Sequence, residues 1–99
     1  ECLMHNELLS RPVQSVAICG GAGDFLLQEA LNMQADAFLT GDVGYHRFFG
    51  HENELLLMEL GHFESEQYTL EILREVIAKT APTLPVYDTE VETNPINYI

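Results

Sequence analysis

The sequence predicts an α/β domain with a mainly parallel sheet and helices packed on it, and three observations carry that prediction. Val16 to Cys19 is a short continuous apolar run, typical of a strand covered on both faces, and the mainly apolar stretches Ala35 to Thr40 and Leu55 to Leu60 read as two further strands. Each run ends at a glycine, Gly20, Gly41 or Gly61. Each is followed by residues of helical character, and such alternation implies right-handed crossovers between parallel neighbours.

Leu3 to Leu9 reads as a short helix or lead-in, closed by Pro12, which restricts Arg11 and removes a backbone donor. Val13 to Cys19 is the first strand. Gly20-Gly21-Ala22-Gly23 turns the chain, and Asp24 is placed to cap a helix running to about Met33, with Phe25, Leu26, Ala30 and Leu31 as its apolar residues. Ala35 to Thr40 is the second strand, Asp42 to Phe49 a short helical or irregular segment, and Leu55 to Leu60 the third strand. A long amphipathic helix is expected from about His62 to Thr80. Pro82 and Pro85 then enforce an extended connection to a short strand near Val86 and Tyr87, and Asn94-Pro95 marks a terminal turn. The expected core comprises Val16, Ile18, Phe38, Leu39, Leu56, Met58, Leu70, Leu73 and Ile77.

At 99 residues and 46% hydrophobic content the chain fits one globular domain. Its net charge of −12, with only Arg11, Arg47, Arg74 and Lys79 as cations, makes nucleic acid and anionic membranes poor partners and metal cations better ones. No apolar stretch is long enough to span a bilayer and nothing resembles a signal peptide, so a soluble, cytoplasmic protein is expected. Cys2 and Cys19 are too few for a disulfide framework, and Cys19 reads as a small hydrophobe closing a strand. The start at Glu1, without an initiator methionine, suggests a piece of something longer.

In an open parallel sheet, ligands sit outside the carboxyl ends of the strands. Three loops answer that description: Gly20 to Asp24, Thr40 to His46, and Gly61 to Glu66. In the last, His62 and Glu66 are four residues apart at the start of the helix, so an imidazole nitrogen and a carboxylate oxygen can converge on one point. A divalent metal is one of the few partners that settles an inward carboxylate and an imidazole together. The spacing alone leaves open an acid favoured by the helix dipole beside a hydrogen-bonded core histidine. Asp42 and His46 repeat the spacing on the neighbouring loop, with a capping Asp42 and a solvated His46 as the structural alternative. His5 and His51 read as solvated, and Glu52-Asn53-Glu54 as a polar loop. The glycine-rich turn lacks the third glycine of a dinucleotide fingerprint, so a tight turn needing positive φ is the commoner explanation. No serine or cysteine nucleophile stands at a recognisable spacing from a base, which leaves acyl transfer unsupported.

Val16-Ala17-Ile18-Cys19-Gly20-Gly21-Ala22-Gly23, Ala35-Asp36-Ala37-Phe38-Leu39-Thr40-Gly41-Asp42 with Tyr45-His46, Gly61-His62-Phe63-Glu64-Ser65-Glu66, and Thr93-Asn94-Pro95-Ile96-Asn97-Tyr98 together resemble the C-terminal part of the Nif-like dinuclear-metal family, the GTP cyclohydrolase I type 2 homologues. The resemblance covers nearly the whole chain from Val13 onward. It implies that residues 1–12 are a lead-in or linker and residues 13–99 the C-terminal α/β domain of a larger two-lobed metal-binding protein. It implies that His62 and Glu66 are metal ligands, with Asp42 and His46 behind them or facing substrate. It also implies two divalent ions in the full-length protein, zinc, iron or manganese, whose other ligands come from an N-terminal domain that is the partner of this one. The family assembles as a homohexamer. The expected activity is that of a metal-dependent hydrolase or cyclohydrolase, the alternative being a non-enzymatic metal-binding scaffold. The isolated chain is expected to fold, to bind metal weakly through two ligands, and to catalyse nothing.

Overall fold

A computed structural model describes residues 3–97 and 99; Glu1, Cys2 and Tyr98 lie outside the described residues. The chain divides into two compact units, Glu1–Glu66 and Gln67–Ile99.

The first unit is built on a four-stranded sheet of order β1-β4-β3-β2, with β1 at Met4–His5, β2 at Val16–Cys19, β3 at Ala37–Thr40 and β4 at Leu56–Glu59. β2, β3 and β4 run parallel, as the alternating pattern predicts, and β1 joins the edge of β4 antiparallel. Register puts Ala17, Phe38 and Leu57 in one row across the three parallel strands. That row meets Leu27 and Ala30 of the helix α1, Leu27–Asn32, and with Val43 and Leu55 it forms the core. The opposite row starts with Val16 and Ile18, which are 50% and 73% exposed, so the expectation that both belong to the core is corrected. They lie on the outer edge strand, where one neighbour is missing and α1 covers only the other face.

The lead-in helix expected over Leu3 to Leu9 is not formed. Asn6 explains why: its side-chain amide donates to the Leu55 carbonyl at 2.9 Å and accepts from the Leu57 amide at 2.9 Å, extending the β1–β4 ladder by one rung. Further along, the Asp36 carboxylate gathers the chain before β2. It accepts from the Gln14 amide at 2.8 Å, from the Ser15 amide at 2.9 Å and from the Ser15 hydroxyl at 3.1 Å, and it pairs with Arg11. The backbone bond from Gln14 first, then Arg11 and the Ser15 amide, hold this carboxyl far below the ordinary range. Asp36 therefore contributes stability that is present above the pKa of an unfolded aspartate, about 3.9, and is lost as pH falls from there through the depressed folded value. Urea unfolding should show the parent losing more stability between pH 7 and pH 3 than Asp36→Asn does; equal losses would exclude this role.

Asp24 does not cap α1. The segment begins with a 3-10 turn, Asp24–Leu26, whose preceding residue Gly23 has no side chain to cap with, and the Asp24 carboxylate instead lies 3.1 Å from Arg47 Nε. A second 3-10 turn, Tyr45–Phe48, occupies the segment read as short and helical.

The single helix expected from His62 to Thr80 is two: α2 at His62–Glu66, closing the first unit, and α3 at Thr69–Thr80, opening the second. Leu70 and Leu73 of α3 are 52% and 51% exposed, which removes them from the expected core. Within the second unit, Arg74 pairs with Asp88, and the strand expected at Val86 and Tyr87 is not formed. The Ile96 amide donates to Asn94 Oδ1 at 3.1 Å, the side-chain turn that Asn94-Pro95 predicts.

Candidate metal centre

β2, β3 and β4 end side by side, with Cys19 opposite Thr40 and Thr40 opposite Glu59, so the loops that follow leave from one edge of the sheet. Hydrogen bonds lace them together. Thr40, 1% exposed, accepts from the Gly23 amide at 2.9 Å and donates to the Gly21 carbonyl at 3.1 Å. The same carbonyl accepts from the Gly41 amide at 2.9 Å. A Thr40→Val variant, nearly isosteric, strands the buried Gly23 amide and should cost about 1–3 kcal/mol in chemical unfolding; an unchanged midpoint would show that water replaces the hydroxyl.

On this frame α2 projects His62 and Glu66 from one face, with His62 Nε2 3.4 Å from Glu66 Oε2. Asp42, from the loop after β3, places Oδ2 3.8 Å from His62 Nδ1. The two nitrogens of one imidazole are thus flanked by two carboxylates, one from α2 itself and one from the loop after β3. Gly21, at φ +63°, is the floor of the pair: a Cβ there would stand 2.3 Å from Glu66 Oε1 and 3.5 Å from His62 Nε2. All three side chains are open to solvent, at 50% for His62, 52% for Glu66 and 61% for Asp42.

Of the sequence-predicted residues, His62, Glu66 and Asp42 come together. His46 is joined elsewhere: it is exposed and its ring meets that of Tyr45 edge-on, centroids 5.4 Å apart. Asp42 is no helix cap either, since Gly44 precedes the 3-10 turn and no side chain bonds to its end. Sequence reading missed Glu59. Burial, and then the Asp42 charge, raise its carboxyl pKa, opposed by a hydrogen bond from the Val43 backbone. Its signal was a lone acid ending an otherwise apolar strand. Among the described residues no group of three or more His, Cys, Asp or Glu side chains could hold a metal ion.

A family model described as Duf34/NIF3 (NGG1p interacting factor 3) matches residues 1–95. The chain belongs to the Duf34/NIF3 family. Among its relatives, the GTP cyclohydrolase 1 type 2 homolog of Campylobacter jejuni is 36% identical over 90 residues, covering 89% of this chain and 34% of that protein. The Lactococcus lactis protein of the same name is 31% identical over 94 residues, covering 92% of this chain and 35% of that one. Among solved structures, Staphylococcus aureus protein SA1388 superposes with a TM-score of 0.75 at 20% identity, over 99% of this chain and 33% of that one. A Bacillus cereus protein related to NIF3 gives 0.69 at 23% identity, over 100% of this chain and 28% of that one. These two share the fold. The Duf34/NIF3 chain described here thus spans about a third of the length of its relatives, in their C-terminal part. None of its helices is long and apolar enough to cross a membrane, among the residues described.

Proposed function

We propose that this chain supplies the C-terminal half of a dinuclear divalent-metal centre in a longer metal-dependent hydrolase or cyclohydrolase. His62 Nε2 and a Glu66 oxygen are the ligands, and Asp42 orients the imidazole from the Nδ1 side. The reading is carried by the His62–Glu66 pair, 3.4 Å apart over a residue whose missing side chain leaves the carboxylate its place. Imidazole with carboxylate suits zinc, iron(II) or manganese. Two ligands are fewer than the about three of a catalytic zinc site or four of a structural one. The N-terminal part of the longer protein is proposed to bring the others, within a hexamer. When bound, paired ions would supply a water of lowered pKa and an electrophile for developing oxygen charge. The chain's own part is to fix two ligands and hold the imidazole proton at Nδ1, toward Asp42. The name borne by the relatives makes GTP the first substrate to try.

The test is elemental analysis of the full-length protein purified without chelator, together with turnover on a panel headed by GTP. Metal in the parent that is lost in His62→Ala and Glu66→Gln supports the ligand assignment; parent-level metal in both variants overturns it. Metal without turnover on any substrate favours the second reading, a metal-bearing scaffold, which the half-exposed pair supports.

A further inference from the structure

We propose that Ser65 is a positioning residue for His62 and Glu66, holding the Gly21 backbone in the place over which the two ligands meet. The inference rests on the metal reading for its functional meaning and on geometry alone for its structural content. One hydroxyl serves two loops. Ser65 Oγ donates to the His62 carbonyl at 2.8 Å, within α2, and accepts from the Gly21 amide at 2.8 Å, from a loop 44 residues away in sequence. The first bond, a serine reaching back along its own helix turn, is a common local arrangement. The second is not local: it ties the helix that bears both ligands to the glycine that lies beneath them.

Spacing shows what the tie controls. Glu66 Oε1 occupies nearly the space a Gly21 Cβ would fill, and His62 Nε2 lies at van der Waals distance from the same point. The Gly21 backbone therefore bounds the space in which the Glu66 carboxylate lies, and a turn or displacement of that backbone changes the space left to it. The Gly21 carbonyl has its own partners, the Thr40 hydroxyl and the Gly41 amide, which anchor the loop to β3 without involving α2. Removal of the Ser65 hydroxyl should leave the loop on the sheet and cut only its link to α2. The Gly21 amide, in a buried residue, is then without its acceptor and must turn to find another.

Two measurements on the full chain test this. In metal-free crystal structures, Ser65→Ala should widen the His62 Nε2 to Glu66 Oε2 separation from 3.4 Å to beyond ion-pair range. In zinc titrations followed at the His62 imidazole by NMR, Ser65→Ala should bind about ten-fold more weakly or worse, the loss typical of groups that orient metal ligands. Ser65→Thr keeps the hydroxyl and should stay near the parent. Asn6→Ala, which breaks two bonds at the other edge of the sheet, should lower the unfolding midpoint without weakening zinc. Parent-like zinc affinity in Ser65→Ala, equal losses in Ser65→Ala and Asn6→Ala, or equal losses in the Ala and Thr variants would overturn the proposal. Should the parent bind no zinc at all, the expectation that this chain's two ligands bind metal weakly by themselves falls, and an unchanged ligand separation in Ser65→Ala still overturns the positioning role by itself.

Discussion

Phe38→Ala is expected to leave much of the sheet unit unfolded at room temperature. Phe38 is 2% exposed, sits in the middle strand between Ala17 and Leu57, and packs against α1. Truncating a buried phenylalanine costs about 3–5 kcal/mol through lost transfer energy and the cavity left behind. A small domain has total stability of about 5 kcal/mol or little more, so the loss approaches the whole. Urea denaturation followed by circular dichroism reads it: the midpoint should collapse toward zero denaturant. Ile18→Ala, one strand over and 73% exposed, should move it only slightly. Equal shifts would mean that the two faces of the sheet are equally covered.

That contrast also marks what the sequence could convey. Phe38 and Ile18 are alike in sequence, each an apolar residue inside a run ended by glycine, and such runs announce a strand and its direction. They do not announce which face α1 will cover, because strand pairing and helix packing depend on residues distant in the chain. β1 was hidden for the same reason: two residues and the Asn6 amide pair with β4 more than fifty positions away. The break at Gln67 and Tyr68 carried no glycine or proline to give it away, so the periodicity from His62 to Lys79 read as one helix.

The site was partly legible. His62 and Glu66 share a face because helical spacing puts i and i+4 together, and Asp42 approaches because its strand ends at the same edge. Ser65 and Glu59 were not, since one acts through a bond to a loop far off in sequence and the other through proximity to Asp42, neither of which has a local pattern. Gly21 lay between: its positive φ could be read from a glycine-rich turn, its contact with Glu66 could not.

Gly21→Ala is accordingly the substitution expected to harm the site most. Alanine at φ +63° costs about 1–2 kcal/mol in the backbone, because the left-handed region brings Cβ against the carbonyl. The added carbon also falls 2.3 Å from Glu66 Oε1, so the carboxylate must swing away and the pair with His62 opens. Gly50 separates these effects. It too has positive φ, +84°, but a Cβ there meets nothing within 4 Å. Gly50→Ala should therefore lower the unfolding midpoint by a similar backbone cost and leave zinc affinity at the parent's value. Gly21→Ala should lower the midpoint and also weaken zinc by about ten-fold or more, since it displaces one of only two ligands. Zinc titration of the three chains, each above its own unfolding threshold of denaturant-free stability, decides the matter. Parent-like zinc binding in Gly21→Ala would show that Glu66 holds its place without the glycine beneath it, and the carboxylate would then have to be sought in another conformation.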